Sequence, residues 1–263
     1  MKRLIIGLLV LVGLLVAVDF GAAAVAESVV SRQMREQIGL PDDPRVRING
    51  FPFTAQALAG RYSSIDVSAP RLEVGALREV EVAAELRDVR APLSELLGPG
   101  PRTLRVGSAD GTVRVGPNDI ERLVGDVERL RIETVDAEAL EQLVEDGGDA
   151  GLADLDPDRV ARFVGTTPVL GAPTEVSVLA VLELDGGTVR VEPRDVRLGG
   201  AAEPLPEAVQ EAVRSEFTVE IDPGSLPLQV VADELRAVDG VLEISGSATD
   251  LVLGAGAGAL PAG

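Results

Sequence analysis

The residue types available for chemistry in this chain are carboxylates, arginines and hydroxyls, since its 263 residues include no histidine and no cysteine. That composition excludes disulfides, thiol or imidazole catalysis, and metal sites built from cysteine or histidine. Paired carboxylates could still act as in a glycosidase, and Asp154, Asp156 and Asp158 have the close spacing of a calcium loop. Pro157, however, is typical of a helix start that Asp156 would cap. The sequence therefore predicts a protein that is not an enzyme and needs no metal or other cofactor.

The charge balance limits the possible partners. With 43 acidic and 24 basic residues, the formal net charge is -19 at pH 7. Nucleic-acid binding depends on clustered cations, and so does adhesion of a basic patch to an anionic membrane. The composition therefore predicts no nucleic-acid partner and local, apolar contact with lipid. It leaves any protein partner unknown.

The N-terminus has the pattern of an export signal. Lys2-Arg3 precedes an unbroken apolar run from Leu4 to Val18, and Ala24-Val25-Ala26 follows it. As a helix the run rises about 22 Å, less than the ~30 Å hydrocarbon core, so retention in a membrane would bring Asp19 into the interface. Residues 1–26 are therefore either a cleaved signal peptide or a signal anchor, and both interpretations stay open. Either one predicts export to the cell envelope, as a protein anchored on the outer face of the cytoplasmic membrane or, after cleavage, in a periplasm-like space.

Beyond the leader, a period of two indicates half-buried β-strands. Apolar residues alternate with mostly acidic ones from 79 to 86, while 176–184 is apolar on both faces. The second pattern predicts a central strand covered by a helix, with a strand lining a ligand cavity as the alternative. Asp-Gly pairs at 110–111, 185–186 and 239–240 predict three antiparallel hairpins.

Helical patterns occur at 20–37, 119–124, 136–145 and 156–164, the last two opened by a capping Asp. The strands and helices together predict a single α+β domain over residues 27–253 with one continuous antiparallel sheet. Residues 254–263 are Gly- and Ala-rich, with no core-forming pattern, and predict a disordered tail.

The segment 50–62 gathers three of the six aromatic residues, which are five Phe and one Tyr. Pro52 interrupts the preceding strand, a helical turn follows to Leu58, and Gly60 ends that turn. Two interpretations stay open. The segment is either a hydrophobic plug that closes one end of the fold or an apolar lip at the mouth of a lipid site.

The same segment resembles a known family. An apolar leader followed by Asp, the Gly-Phe-Pro-Phe of 50–53, Gln56 and the Leu-Ala-Gly-Arg-Tyr of 58–62 resemble the LmeA-like phospholipid-binding proteins of actinomycete cell envelopes. The Gly-Thr-Val units at 111–113 and 187–189 are similar to later strands of that family. One departure is visible, since the family's Leu-Thr-Gln after the second Phe reads Thr-Ala-Gln here.

The resemblance implies a tubular lipid-binding α+β fold, in which an elongated antiparallel sheet or half-barrel wraps around helices after the N-terminal apolar helix. It implies a phospholipid-binding protein of the cell envelope, without catalytic residues, that supports lipid or lipoglycan maintenance. The expected partners are a phospholipid or other acyl lipid and the membrane. The alternative function is a membrane-anchored structural or interaction module without a lipid cavity.

Affinity for an acyl chain can come from apolar burial alone, at ~0.8 kcal/mol per CH2. Arg61 is the candidate for contact with a lipid headgroup. The candidate lipid-contact residues are Phe51, Phe53, Leu58, Tyr62, Phe163 and Phe217.

Overall fold

A long N-terminal helix precedes strands that pair into two antiparallel sheets. The structure is a computed structural model and describes residues 2–74, 76–92, 103–148, 150–169, 172–185, 188–198, 210, 214, 219–221, 231–254 and 257–260. The helices are α1 (Lys2–Ile38), α2 (Phe53–Ala59), α3 (Pro117–Val124) and α4 (Ala137–Glu145). The strands are β1 (Arg45–Asn49), β2 (Arg61–Val74), β3 (Leu77–Arg90), β4 (Thr103–Val115), β5 (Glu128–Thr134), β6 (Val160–Val169), β7 (Ala172–Asp185), β8 (Thr188–Leu198), β9 (Val219–Ile221), β10 (Val231–Val238), β11 (Val241–Gly254) and β12 (Ala257–Leu260).

The first sheet has the strand order β1-β2-β3-β4-β11-β10, with β12 also paired to β11. The second sheet has the order β5-β6-β7-β8-β9, and every pairing in both sheets is antiparallel. The predicted α+β class and the N-terminal apolar helix are confirmed. Instead of one continuous sheet there are two, and within the described residues neither closes into a barrel.

The larger hydrophobic cluster, here called the inter-sheet core, lies between the two sheets. The first sheet contributes residues such as Val80 and Ile244, and the second contributes Phe163 and Leu182. Helix α3 closes one side of this core through Ile120. The core is built almost entirely from aliphatic side chains, as the composition predicts.

Strand β7 is buried on both faces along 178–182. Val178 and Leu182 face the inter-sheet core, while Leu179 packs in a separate cluster with Leu140 of α4. The prediction of a central strand under a helix is therefore confirmed. Helix α4 begins as predicted, because the Asp136 carboxylate accepts a hydrogen bond from the Ala139 backbone N–H.

A second part of the first sheet packs against α1 and α2 rather than against the other sheet. This group, here called the helix-side cluster, includes Phe53, Tyr62, Leu86, Val89 and Val106. Three alanines of α1 pack on it, which are Ala22, Ala23 and Ala26.

Two of the three predicted Asp-Gly hairpins are present. Asp239-Gly240 forms the tight turn between β10 and β11, with φ of 50° and 80°. Strands β7 and β8 pair as a hairpin up to Asp185 opposite Thr188, although the two glycines between them lie outside the described residues. The third prediction is wrong, because Asp110-Gly111 lies in the middle of β4. Strands β3 and β11 hydrogen-bond to both sides of β4, which satisfies its extended backbone and outweighs the local turn preference.

The predicted helix over 156–164 is also wrong. Only Pro157–Arg159 form a single 3-10 turn, capped by Asp156, and β6 starts at Val160. Pairing of β6 between β5 and β7 overrides the local helical preference. In the Gly- and Ala-rich tail, Ala257–Leu260 pair with β11 as a short strand, and the disorder of the tail stays a prediction. Backbone pairing of this kind needs no apolar pattern.

Candidate functional site

Helix α1 is fastened to the rest of the fold by Asp19, the first charged residue after the apolar run. Its carboxylate accepts hydrogen bonds from the backbone N–H groups of Phe53 and Thr54, both at 2.8 Å, and from the Thr54 hydroxyl at 2.7 Å. These are N–H groups of the first turn of α2, which have no partner within the helix. Pro52 at the N-cap supplies no side-chain bond, so Asp19 caps α2 from 34 residues away in sequence.

Two further side chains hold α1 beside β1. The Glu27 carboxylate accepts from the Ile48 backbone N–H at 2.8 Å, and the Ser31 hydroxyl donates to the Pro44 carbonyl oxygen at 2.6 Å. As α1 proceeds from Asp19 to Ser31, its partners therefore move backwards along the chain from α2 to the start of β1. The α2 end of the first sheet consequently lies at the level where the apolar run of α1 ends.

The segment 50–62 is held in shape by Gln56 and Gly60. The Gln56 side chain donates to the Asn49 carbonyl oxygen at 3.3 Å and accepts from the Ser63 N–H at 2.9 Å. Gly60 ends α2 with φ of 62°, and a Cβ there would lie 2.9 Å from the Cα of Pro92. Two residues that carry the family resemblance thus determine the backbone path of this segment.

The predicted lipid-contact residues of this segment divide into buried and exposed pairs. Phe53 and Tyr62 are buried in the helix-side cluster with ring centroids 6.4 Å apart, and burial raises the pKa of Tyr62. Phe51 and Leu58 are exposed by 61% and 84%. The ring of Phe51 stacks on Phe20, with centroids 6.0 Å apart. One side of the segment therefore packs on the sheet and the other faces outward, and both interpretations of the segment stay open.

The remaining predicted contacts do not join this group. Phe163 is 1% exposed in the inter-sheet core, and Phe217 lies outside the described residues. Arg61 is exposed at the start of β2.

One row of residues crosses the first sheet between the two hydrophobic clusters and belongs to neither. It is here called the central row, and its members are neighbours in register on β1, β2, β3, β4 and β11. Four inter-strand spacings make it about 19 Å long. It has no charged side chain, and three of its members, on β2, β3 and β4, are partly exposed. The central row consists of Val46, Val67, Ala84, Gly111 and Gly246.

The central row carries only small, uncharged side chains, none larger than valine. Glycine inside a strand is typical of a place where another group approaches the backbone closely. Larger side chains stand on both sides, with Leu86 toward the helix-side cluster and Val82 toward the inter-sheet core. Because the row has no charged side chain, its chemistry suits an aliphatic chain rather than a charged ligand.

One buried acidic side chain of the first sheet holds a structural ion-pair network. Glu243 on β11 accepts hydrogen bonds from Arg236 at 2.7 Å and from Arg114 at 2.9 Å. Burial alone would raise the pKa of Glu243, but the hydrogen bonds and charges of both arginines outweigh it and hold that pKa below its ordinary value. In the part of the chain that the structure describes, no three acidic side chains gather as a metal site.

A groove of about 290 Å³ lies at the edge of the second sheet, between β5, β6 and β7. It is lined by polar groups that already have partners. Arg131 pairs with Glu175 at 3.4 Å, and Arg129 donates to the Thr166 hydroxyl at 3.1 Å. This groove does not resemble an acyl-chain site.

Sequence reasoning missed three features of this region, which are the capping role of Asp19, the outward placement of Phe20, and the central row. A signal for the first was present, because a single Asp directly after an apolar run needs a partner if the helix continues. The central row had no such signal, since it depends on the register of five strands.

These features define an α+β protein in which the part of a long N-terminal helix that follows its apolar run packs on the apolar face of an antiparallel sheet. The chain belongs to the LmeA-like phospholipid-binding family, whose model matches residues 17–247. The resemblance seen in segment 50–62 is thereby confirmed. No curated protein and no solved structure matches the chain.

Proposed function

We propose that this protein binds phospholipid without catalysing a reaction, at the outer face of the cytoplasmic membrane, and supports the upkeep of envelope lipids or lipoglycans. The observation that carries the proposal is the family match over residues 17–247. The acidic groups described above are engaged in structural pairs, which is consistent with a binding role. The expectation of no cofactor and no nucleic-acid partner is kept as part of the proposal.

The central row is our candidate for the acyl-chain contact. It is apolar and about 19 Å long, and three of its five members are alanine or glycine. Burial of each methylene there contributes ~0.8 kcal/mol, so a long chain needs no cationic clamp to be held. Leu86 and Val82 would line its two sides.

We further propose that α1 is retained as an anchor rather than cleaved. The helix is long and apolar enough to cross a membrane, and only 6% of its most apolar stretch is buried. Cleavage after Ala26 would remove Asp19 and the three alanines from the helix-side cluster. The family match also begins at residue 17, ahead of that cleavage site. The main domain would then start near Asp19 instead of residue 27.

The state of the N-terminus can be measured directly. Intact-mass analysis of the protein purified from its own membrane should give the full-length chain, near 27.3 kDa. A product that begins at Glu27 would overturn the anchor proposal and indicate a soluble carrier.

The lipid proposal is tested with a pair of neighbouring alanines on β3. Ala84 lies in the central row, whereas Ala83 faces the other side of the sheet, and both are partly exposed. Ala84→Leu places a larger side chain in the middle of the central row and should displace about two CH2 groups of a bound chain, which lowers phospholipid retention roughly tenfold. Ala83→Leu adds the same side chain on the opposite face and should leave retention unchanged.

The readout is phospholipid per protein, measured by mass spectrometry of extracts after purification from the native envelope. Equal retention in the two variants would exclude the central row as the site. Wild-type protein that carries no phospholipid, and acquires none from vesicles, would contradict phospholipid binding itself. The membrane-anchored interaction module would then be the better explanation.

A further inference from the structure

Three arginines lie side by side at one end of the first sheet. Arg61 on β2 is paired in register with Arg90 on β3, and Arg90 is paired with Arg105 on β4. All three are exposed. Their neighbours Tyr62, Val89 and Val106 are buried in the helix-side cluster, so the arginines project from the opposite face. We call these three residues the arginine row.

The arginine row differs from several other arginines on the same sheet. Arg87 pairs with Glu85 at 2.9 Å and with Asp110 at 2.6 Å. Arg114 and Arg236 share Glu243. Among the described residues, by contrast, no member of the arginine row has a carboxylate oxygen within 4.0 Å.

Like charges directly opposite one another across strands destabilise a sheet. Three adjacent arginines without acidic partners are therefore unfavourable in isolation. In a chain of net charge -19 acidic partners were available in number, so their absence from this row indicates an external anion. Guanidinium groups bind phosphate oxygens with two parallel hydrogen bonds, which makes phosphate the best-suited anion.

The row adjoins an exposed apolar surface. Helix α2 ends at Gly60, immediately before Arg61, and there is no charged residue from 50 to 60. Leu58 and Phe51 are largely exposed there, and Phe51 stacks on Phe20 next to the end of the apolar run. We call Phe20, Phe51 and Leu58 the apolar foot.

We propose that this end of the first sheet docks on the outer leaflet of the bilayer that α1 enters. The apolar foot inserts at the level of the headgroups and upper acyl chains, and the arginine row binds lipid phosphates. The inference rests on the proposed function in one respect, the retention of α1. Two further observations support it independently. The arginine row is complementary in charge to lipid phosphates, and the apolar foot is continuous with the apolar part of α1.

Docking would also orient the domain. The chain as a whole carries a net charge of -19 and is repelled by anionic lipid, so this end, with its three adjacent arginines, is favoured to approach the membrane. The strand rise of about 3.3 Å per residue then places the central row, six residues along β3 from Arg90, roughly 20 Å above the lipid phosphates.

The absence of cysteine allows a direct test, because a single introduced thiol is labelled uniquely. The full chain is reconstituted in vesicles of phosphatidylcholine and phosphatidylglycerol, with a fluorophore at Leu58→Cys. A control carries it at Glu138→Cys, an exposed position on α4. Lipids with a spin-label quencher near the headgroup should quench the label at position 58 and leave the label at position 138 bright.

The arginine row is tested by charge-matched triple variants. Arg61→Gln, Arg90→Gln and Arg105→Gln together should lower quenching at position 58 by roughly a factor of two or more. Arg78→Gln, Arg131→Gln and Arg162→Gln remove the same charge elsewhere and should leave quenching unchanged. The first triple should unfold at no lower temperature than wild type, because it relieves like-charge repulsion.

No quenching at position 58, or equal effects of the two triples, would overturn the docking proposal. A clear fall in the unfolding temperature of the first triple alone would also overturn it, since the row would then be structural. Phospholipid per protein is measured on the same samples. If the protein docks on the vesicles but retains no phospholipid, the proposed phospholipid binding is rejected and the docking proposal is kept.

Discussion

The inter-sheet core and the helix-side cluster share one face of the first sheet, yet they are built in different ways. The inter-sheet core is composed of large side chains such as Phe163, Leu182 and Ile244, each almost fully buried. The helix-side cluster combines a few large side chains with alanines of α1 and is completed by the hydrogen bonds of Asp19. Large-scale apolar burial supports one end, and specific polar contacts with a helix support the other.

The difference indicates that the two ends of the first sheet have different local stability. Regions with fewer buried apolar contacts open at lower free energy than dense cores. We expect the end beside α1 to adjust locally while the end beside the second sheet stays closed. The central row lies between these two regions, with the more stable inter-sheet core on one side and the less stable helix-side cluster on the other.

The largest predicted effect concerns the inter-sheet core. Phe163→Ala should lower the free energy of unfolding by about 3–5 kcal/mol, because it leaves a large cavity in a closed core. Phe51→Ala removes the same ring from an exposed position and should change it by less than ~0.5 kcal/mol. Guanidinium unfolding of both variants is the measurement. If both variants lowered the free energy of unfolding by a similar amount, the distinction between the core and the exposed end would be wrong.

The second prediction concerns Asp119, which fastens α3 to the start of β3 beside the same core. Its buried carboxylate accepts from the backbone N–H groups of Arg78 at 2.8 Å and Glu79 at 3.0 Å, and it also pairs with Arg122. Asp119→Ala leaves these donors without a partner and should cost about 2 kcal/mol. Asp119→Asn keeps one oxygen acceptor and should cost less, as measured by the same unfolding titration. Equal costs would mean that the hydrogen bonds contribute little.

The third prediction is a pH dependence at Glu243. Because its pKa is lowered in the folded state, Glu243 stabilises the fold above its ordinary pKa of 4.5, and that contribution is lost as pH falls through the folded pKa. Glu243→Gln should therefore be less stable than wild type at pH 7, by about 1 kcal/mol, and should approach it in acid. Urea unfolding at pH 7 and at low pH tests this. A difference that is constant with pH would contradict it.

The smallest effect on global stability is expected at Asp19, although its local effect should be clear. Asp19→Ala removes three hydrogen bonds from the start of α2 and should speed amide hydrogen exchange at Phe53 and Thr54. Asp42→Ala, which removes an exposed partner of Arg71, is the control and should leave those amides unchanged. Unchanged exchange in Asp19→Ala would mean that α1 is not needed to hold α2.

Much of the fold could be predicted where a short stretch of sequence decides the outcome. Alternation at 79–86 predicts strand β3, and the capping Asp136 predicts the start of α4. The motif at 50–62 was sufficient to predict the family. Predictions failed where pairing with distant strands outweighs local preference, as at Asp110-Gly111.

The arginine row shows why register could not be predicted. Along β3 the inward residues run through Ala84 and Leu86, and strict alternation would place Arg90 on the inner face as well. Asp88 has φ of 52°, in the left-handed region, and the inward position passes to Val89. The same shift occurs on β2, between Ile65 and Tyr62. A shift that neighbouring strands make together is a property of the sheet and is not visible in any single strand.

The position of β11 has a consequence for how the chain reaches its final state. Strand β11 pairs with β4 along its length, and Arg114 meets Glu243 across 129 residues of sequence. Since chains are made from the N-terminus, more than a hundred further residues must be synthesised before β11 can pair with β4. Until then the backbone N–H and C=O groups on that edge of β4 are free to pair with other strands. Newly made protein should therefore be most prone to aggregate while the second sheet is being completed, and delayed arrival of β11 would lengthen that interval.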